Sequence, residues 1–244
     1  MKILLTLLIL VVGNQVLACQ CSEPSLTEAF HSSKFVATGK IVKNREIVDD
    51  NRRVDFEVYE LFKGSGLNSF IVFGENSPCG LSFEDGEEIL VFAYENEGQI
   101  GVSFCARYFS LKDLKNYPME LEILRSLKAN KISYSNTFSV ETYGNEFFKK
   151  IESLNPSSDD PQFAIFEVVI DKLNFWVDVK VVEGFAKELD EQLLKLMEDS
   201  DWELEDYSGN PIPALSKFVL VIENSYDKNS GSFQLKEYNF RWFR

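Results

Sequence analysis

Histidine is nearly absent from this 244-residue sequence, and basic residues are outnumbered by acidic ones. His31 is the single histidine, which leaves little scope for metal binding or for acid–base catalysis near neutral pH. It lies at the end of a predicted helix, so we expect it on the surface or packed against the barrel rather than in a catalytic triad. The 25 Lys and Arg residues stand against 39 Asp and Glu, a formal net charge of −14. Nucleic-acid binding needs clustered Lys and Arg, so this charge argues against such a partner.

Long hydrophobic runs are also scarce, and the longest, LLTLLILVV, lies close to the N-terminus. It is roughly half as long as a membrane-spanning helix, and Val16-Leu17-Ala18 after it is typical of a cleaved secretory leader. We therefore predict a signal peptide over residues 1–18, no transmembrane span, and a secreted or periplasmic location in the cell envelope. Val-Leu-Ala-Cys also fits a bacterial lipoprotein signal loosely, so a lipid anchor on Cys19 is the alternative.

Cysteine is limited to four residues, Cys19, Cys21, Cys79 and Cys105. An even number behind a leader predicts two disulfides formed in an oxidising compartment. Four cysteines allow three connectivities, and their spacing does not choose among them. With all four in bridges no thiol is left for catalysis. We accordingly predict no catalytic residues, no metal site of the chain's own, no cofactor, and no enzymatic activity.

The first half of the mature chain is rich in short strand patterns separated by polar turns. Ser25-Leu-Thr-Glu28 has the spacing of a capping box, and Pro118 suits the first turn of a closing helix. That helix would carry Leu121, Leu124 and Leu127 on one face. Together these patterns predict a five-stranded OB-like barrel with flanking helices. The strand runs cover 35–43, 54–62, 70–73, 89–94 and 100–104.

The second half follows a polar stretch, KANKISYSN, that has no periodicity. We place one domain at 19–128, a linker at 129–140 and a second domain at 141–244. A helix, two strands, an amphipathic helix and further strands indicate a second, two-layer α+β domain. These elements are predicted at 141–154, 163–170, 175–182, around Leu189, Leu193, Leu196 and Met197, and at 217–223 and 233–240.

A set of residues in the first half begins with the C-x-C pair directly behind the leader. The set comprises Cys19, Cys21, Pro24, Ala29-Phe30, Ser33, Gly39-Lys40, Phe56-Glu-Val58, Phe62-Lys-Gly64, Cys79-Gly80, Phe83, Gly86, Leu90-Val-Phe-Ala93 and Cys105. In these positions residues 19–127 resemble the netrin-like (NTR) module of the tissue inhibitors of metalloproteinases (TIMP), in its compact bacterial version. The resemblance implies an OB-like barrel with the disulfides Cys19–Cys79 and Cys21–Cys105.

The same resemblance implies a role for the N-terminus. In the animal inhibitors the α-amine and carbonyl of the first cysteine bind the protease's zinc, and the next residue enters the specificity pocket. The equivalents here are Cys19 and Gln20. A catalytic zinc keeps one coordination position open, which an α-amine can fill. This chain lacks the third disulfide and the long loops of the animal inhibitors. We therefore favour a general protein-binding role over protease inhibition.

A second set of residues lies in the second half. It comprises Phe166-Glu-Val-Val-Ile-Asp171, Val177, Val179-Lys-Val-Val182, Glu183-Gly184, Leu189-Asp-Glu, Leu193, Trp202, Gly209-Asn-Pro211 and the run from Phe218 to Val221. Over about 141–223 the chain resembles the C-terminal domain of TonB as it recurs in bacterial envelope proteins. It departs from that domain in lacking its Tyr-Pro dipeptide and in having Lys172-Leu173-Asn174 where a turn glycine is usual.

The sequence shows neither the membrane anchor nor the proline-rich spacer that energy transduction by TonB requires. What the second resemblance implies is strand addition at an exposed sheet edge, or else a self-contained sheet capped by its last strand. We therefore predict a non-catalytic, extracytoplasmic bacterial protein-binding module. Its partner would be another envelope or extracellular protein, and metalloprotease inhibition through Cys19 and Gln20 is the alternative.

Overall fold

The structure, a computed structural model, describes residues 24–114, 118–134, 146–170, 176–199, 213–227 and 232–237. The first half contains α1 (Leu26–Ser32), β1 (Phe35–Val48), β2 (Asn51–Lys63), β3 (Ser69–Val72), β4 (Glu88–Asn96), β5 (Gln99–Val102), β6 (Tyr108–Ser110), α2 (Leu111–Leu114) and α3 (Pro118–Ala129). The second half contains α4 (Glu146–Glu152), β7 (Phe163–Ile170), β8 (Trp176–Glu183), α5 (Lys187–Glu198), β9 (Lys217–Asp227) and β10 (Ser232–Glu237).

Five strands of the first half close into a barrel. β1 pairs antiparallel with both β2 and β4, and the parallel pair β3–β5 completes the ring in the order β1-β2-β3-β5-β4. Inward-facing aromatic residues fill it; Phe56 and Phe70, for example, meet edge to face with ring centroids 5.4 Å apart. The predicted five-stranded OB-like barrel with flanking helices is confirmed. β6, which pairs with β4, was not predicted.

The second half forms an antiparallel sheet in the order β10-β9-β7-β8. One face of β7 and β9 packs beneath α4 and α5, as the predicted α+β arrangement requires. The opposite face is buried as well, against α1 and α3 of the first half. The side chains on this second face are Phe163, Ile165, Val219 and Val221. The uninterrupted apolar runs of β7 and β9 are therefore explained by burial on both faces.

The predicted linker, 129–140, takes part in this shared core where it is described. Ile132 is buried among the residues of α1 and α3, and Tyr134 packs against the same cluster. A second connection is polar, since the Ser126 hydroxyl on α3 is hydrogen-bonded to the Glu183 carboxylate at the end of β8. The two halves thus share one hydrophobic core, while the placement of the domain boundary stays a prediction.

His31 lies at the centre of the junction between the halves, not on the surface. Its Nδ1 donates to the Tyr134 carbonyl oxygen (3.4 Å), and its Nε2 accepts from the Val219 N–H of β9 (3.3 Å). The imidazole also stacks on the Tyr134 ring, with centroids 5.0 Å apart. The Lys63 ammonium donates to the carbonyl oxygens of Tyr134 (3.0 Å) and Phe30 (2.6 Å), which caps the end of α1. Of the two expected positions, the surface is therefore wrong, and the imidazole has a buried packing role that also reaches the second sheet.

Acid should weaken the folded state through His31. Burial lowers the pKa of His31 to about 3, and the nearby Lys63 charge adds to this. A histidine in an unfolded chain has a pKa near ~6.5, so the unfolded state takes up a proton first as the pH falls. The contribution of His31 is complete above about pH 6.5 and is lost as the pH falls towards 3. We expect the free energy of unfolding to fall by about 2 kcal/mol between about pH 7 and 5, measured by urea titration.

His31→Gln is the matched control for this measurement, because it keeps polar atoms at the junction and cannot titrate. Since His31 is the single histidine, the variant should show a nearly flat profile over the same pH range. A wild-type profile as flat as that of the variant would contradict the buried, neutral imidazole.

Candidate functional site

The cysteines predicted to form the site divide between described and undescribed parts of the chain. Cys19, Gln20 and Cys21 lie outside the described residues. Cys79 and Cys105 are described, and neither is a free thiol, since both are half-cystines. The predicted pairing of each with Cys19 or Cys21 stays a prediction.

The fold brings Cys79 and Cys105 to the same end of the barrel. Cys79 lies in the loop after β3 and Cys105 in the loop after β5, and these two strands run parallel. Because the carboxyl ends of neighbouring parallel strands lie at one edge, both loops leave the barrel together. The Phe73 N–H donates to the Val102 carbonyl oxygen (2.8 Å), which holds the starts of the two loops side by side.

Arg107 is the central polar group at this end of the barrel, and its side chain is fully buried. Its Nη1 donates to the Pro24 carbonyl oxygen (2.9 Å), and its Nη2 donates to Oε1 of Glu120 (2.8 Å), which is also fully buried. The guanidinium lies over the Phe109 ring, 4.6 Å from its centroid. Arg107 therefore ties the first described residue to β6 and to α3, and we call this arrangement the Arg107 clamp.

The segment after Pro24 is fixed independently by the cap of α1. The Ser25 N–H donates to the Glu28 carboxylate (2.7 Å), and the Glu28 N–H donates to the Ser25 hydroxyl (3.3 Å). This is the predicted capping box, and it satisfies two backbone donors that the helix itself leaves free. The start of the described chain is thus held by a helix cap on one side and by the Arg107 clamp on the other.

Neither member of the buried pair was predicted from the sequence. Glu120 stands at the start of α3, one turn before Ile123 and Leu124, which face the core. That spacing placed a carboxylate on the apolar face and was a usable signal for a buried partner of opposite charge. Nothing in the sequence pointed to Arg107 as the partner. Arg107 and Glu120 belong to different elements, so no helix or strand period relates their positions.

A groove of about 440 Å³ opens beside the clamp, between α1, β4 and the loop after β5. We call it the 103–107 groove, and its lining is mainly apolar. An apolar floor with a few polar groups at the rim suits the insertion of a partner's side chain. The lining residues include Pro24, Ala29, Ser33, Phe92, Tyr94, Ser103, Cys105 and Arg107.

The TonB-like residues are only partly described. Leu189 and Leu193 of α5 pack on Phe166 of β7 in the second core, whereas Trp202 and residues 209–211 lie outside the described ranges. β10 pairs with β9 along its whole length, so the chain itself covers that edge of the sheet. Strand addition at β9 is therefore blocked, and β10 is the edge strand on this side of the sheet among the described strands.

The described ranges contain no group of three or more His, Cys, Asp or Glu side chains placed to hold a metal ion. Over the same ranges, none of the helices combines the length and apolar character that a membrane crossing needs.

Comparison with protein-family models and with curated proteins gave no match to this chain. The netrin-like and TonB-like resemblances, and the functions that they imply, consequently stay predictions. The fold class rests on the strand order and pairing described above.

Removing one partner of the buried pair should destabilise the protein strongly. Arg107→Met leaves the Glu120 carboxylate buried without its cation, for which we expect a loss of roughly 3–5 kcal/mol in the free energy of unfolding. Arg107→Met combined with Glu120→Met should cost less than the sum of the single changes. Chemical denaturation of the oxidised protein measures all three variants.

Arg125→Met is the matched control, because Arg125 makes an exposed ion pair with Glu60 at 2.8 Å. Exposed pairs contribute little, so this variant should lose at most about 1 kcal/mol. Equal losses for Arg107→Met and Arg125→Met would show that the buried pair does not stabilise the barrel end.

Proposed function

We propose that this chain is a non-catalytic protein-binding module of the bacterial cell envelope, and that the 103–107 groove with the chain held beside it is its binding surface. The Arg107 clamp is the observation that carries the proposal. It fixes the Pro24 backbone against β6 and α3 without any contribution from solvent-exposed groups. A binding surface ordered in advance loses less conformational entropy on association, which strengthens binding for a given contact area.

The surroundings of the groove support this role. Cys105 is exposed at its rim and is a half-cystine, so the loop that carries it is held covalently as well as by Arg107. Tyr94 is half-buried in the lining and combines a large apolar ring with a polar hydroxyl, a combination enriched where proteins bind one another. The groove therefore combines a rigid frame with side chains suited to protein recognition.

Charge and location favour a particular class of partner. The net charge of −14 steers the chain towards proteins with basic or neutral binding faces and away from nucleic acid. The predicted leader over 1–18 would direct export of the module. The predicted disulfides suit an oxidising compartment, either periplasmic or extracellular. An envelope or extracellular protein is accordingly the proposed partner.

Metalloprotease inhibition is the second candidate, and the position of Pro24 favours it. Arg107 immobilises the carbonyl of Pro24 only a few residues beyond Cys19 and Gln20, the residues that would engage a protease. Because only a few residues separate the fixed Pro24 from Cys19, the range over which Cys19 can move is restricted. The Cys19 α-amine and carbonyl would then fill the open coordination position of the protease's zinc.

Site-directed photo-crosslinking tests the proposed surface. We would place benzoyl-phenylalanine at Ser103 in the groove, and at Asn68, which precedes β3 at the far end of that strand, as the matched control. After incubation with native envelope extract, Ser103 should give one or a few discrete adducts identified by mass spectrometry, and Asn68 should give none of these. Equal labelling from both positions, or no adduct from Ser103, would contradict the assignment of the groove.

A one-residue extension tests the inhibitor candidate. An alanine added before Cys19 removes the cysteine's free α-amine and leaves the barrel unchanged. If the mature chain inhibits a zinc metalloprotease, the extended chain should be at least about a hundredfold weaker, because an amide nitrogen is a poor zinc ligand. Inhibition that survives the extension contradicts chelation. If neither form inhibits a panel of zinc metalloproteases, metalloprotease inhibition is excluded. The crosslinking result alone then tests the protein-binding role of the 103–107 groove.

A further inference from the structure

β8 is one of the two edge strands of the second sheet in the described ranges. It pairs with β7 on one side, and no other strand among the described residues pairs with its second side. An open edge exposes backbone donors and acceptors that can pair with another strand. The other edge strand is β10, which pairs with β9 on its inner side.

Two opposite charges mark this open edge. Asp178 and Lys180 are both exposed and lie two residues apart, so they share one face of β8. Neither forms an ion pair with another described residue. Glu167, which lies opposite Lys180 on β7, pairs instead with Lys217 at 3.3 Å. The edge therefore presents one negative and one positive side chain that are available to a partner strand.

We propose that β8 binds β8 of a second copy of this chain, antiparallel, with a two-fold axis at Val179. In this register Asp178 of each copy lies opposite Lys180 of the other, and Val179 lies opposite itself. Opposite charges that face each other across two strands stabilise their pairing, and like charges destabilise it. The charge pattern of the edge is thus complementary to itself, and the two four-stranded sheets become one continuous sheet of eight strands.

The same charges exclude the neighbouring registers. Moving the axis to Asp178 sets two carboxylates opposite each other, and moving it to Lys180 sets two ammonium groups opposite each other. A shift that places the axis between residues exchanges the faces of the sheet, so the half-buried Val179 and Val181 no longer continue the apolar face beneath α5. Parallel pairing in register also opposes like charges. Of the arrangements considered, the antiparallel register with its axis at Val179 alone sets opposite charges against each other.

The row of charges across the joined sheet supports the same arrangement. Glu167 on β7 lies opposite Lys180 on β8, and Lys180 would lie opposite Asp178 of the second copy. Signs alternate over these three positions, and the two-fold axis generates a second, equivalent row; beyond Asp178 each row reaches the uncharged Val169. A partner of different sequence would have to supply the same alternation, whereas a second copy supplies it by symmetry.

Charge reversal with rescue tests the proposal on the full mature chain. Sedimentation equilibrium should show a dimer for the wild type at high micromolar concentration. Asp178→Lys alone and Lys180→Asp alone should each weaken dimerisation by about tenfold or more, because each creates two facing like-charge pairs. The double variant Asp178→Lys with Lys180→Asp restores opposite charges in the same register and should dimerise as the wild type does.

Lys149→Asp is the matched control, a charge reversal at an exposed lysine in the last turn of α4. It should leave the dimer unchanged, and circular dichroism should confirm that every variant is folded. A wild type that is monomeric at all concentrations would overturn the proposal. A dimer that neither single reversal weakens, or that the double variant does not restore, would overturn it as well.

A cysteine scan reads the register independently of charge. Val179→Cys would place one thiol of each copy at the two-fold axis, where facing Cβ atoms lie within reach of a disulfide. The cysteine of Val181→Cys would face position 177 of the second copy, so the two introduced cysteines would lie far apart. Mild oxidation should therefore cross-link Val179→Cys far faster than Val181→Cys. Equal rates, or faster cross-linking of Val181→Cys, would contradict the proposed register.

Discussion

The buried guanidinium of Arg107 is the constraint on which the proposed binding surface depends. Removing a charge from water is costly, and the cost is offset here by the Glu120 carboxylate, the Pro24 carbonyl and the face of the Phe109 ring. Pro24 precedes α1, Phe109 lies in β6 and Glu120 in α3, so the guanidinium joins three separate parts of the first half. Because a planar, forked cation needs all its partners in fixed directions, the clamp sets the position of the chain at Pro24 as well as stabilising it.

The two halves of the protein depend on each other through the sheet of the second half. β7 and β9 present apolar side chains on both faces, and the face towards the barrel would be exposed if the second half stood alone. An exposed patch of this kind is rare on a separate soluble domain. His31 adds a directional contact at the same junction, since its two ring nitrogens are bonded to Tyr134 and Val219. The orientation of the halves is therefore specified by packing and by hydrogen bonds.

Local patterns in the sequence predicted the local structure well. The capping box at Ser25 and the five barrel strands are present, although β1 continues to Val48, beyond the predicted end at 43. The extension arises because polar residues near the turn pair across the hairpin, and their alternation is too weak to distinguish strand from loop. β6 was missed because three residues are too few to establish a period.

Features that depend on distant partners were not predicted from the sequence. No pattern in the sequence paired Arg107 with Glu120, and the position of His31 at a helix end did not reveal its contact with β9. The burial of β7 and β9 on both faces was visible as continuous apolar runs, but a run of that kind does not reveal what covers it. The groove likewise exists only because the loop after β5 lies beside α1, an arrangement set by barrel closure.

Hydrogen exchange tests most directly whether the Arg107 clamp holds the chain beside the groove. Arg107→Lys keeps the charge but cannot reach Pro24 and Glu120 together, because an ammonium lacks the fork of the guanidinium. We expect amide protection at residues 25–30 to fall by at least about tenfold in this variant, while protection of β2 in the barrel stays unchanged. Unaltered protection at residues 25–30 would contradict the clamp and the proposed function that rests on it.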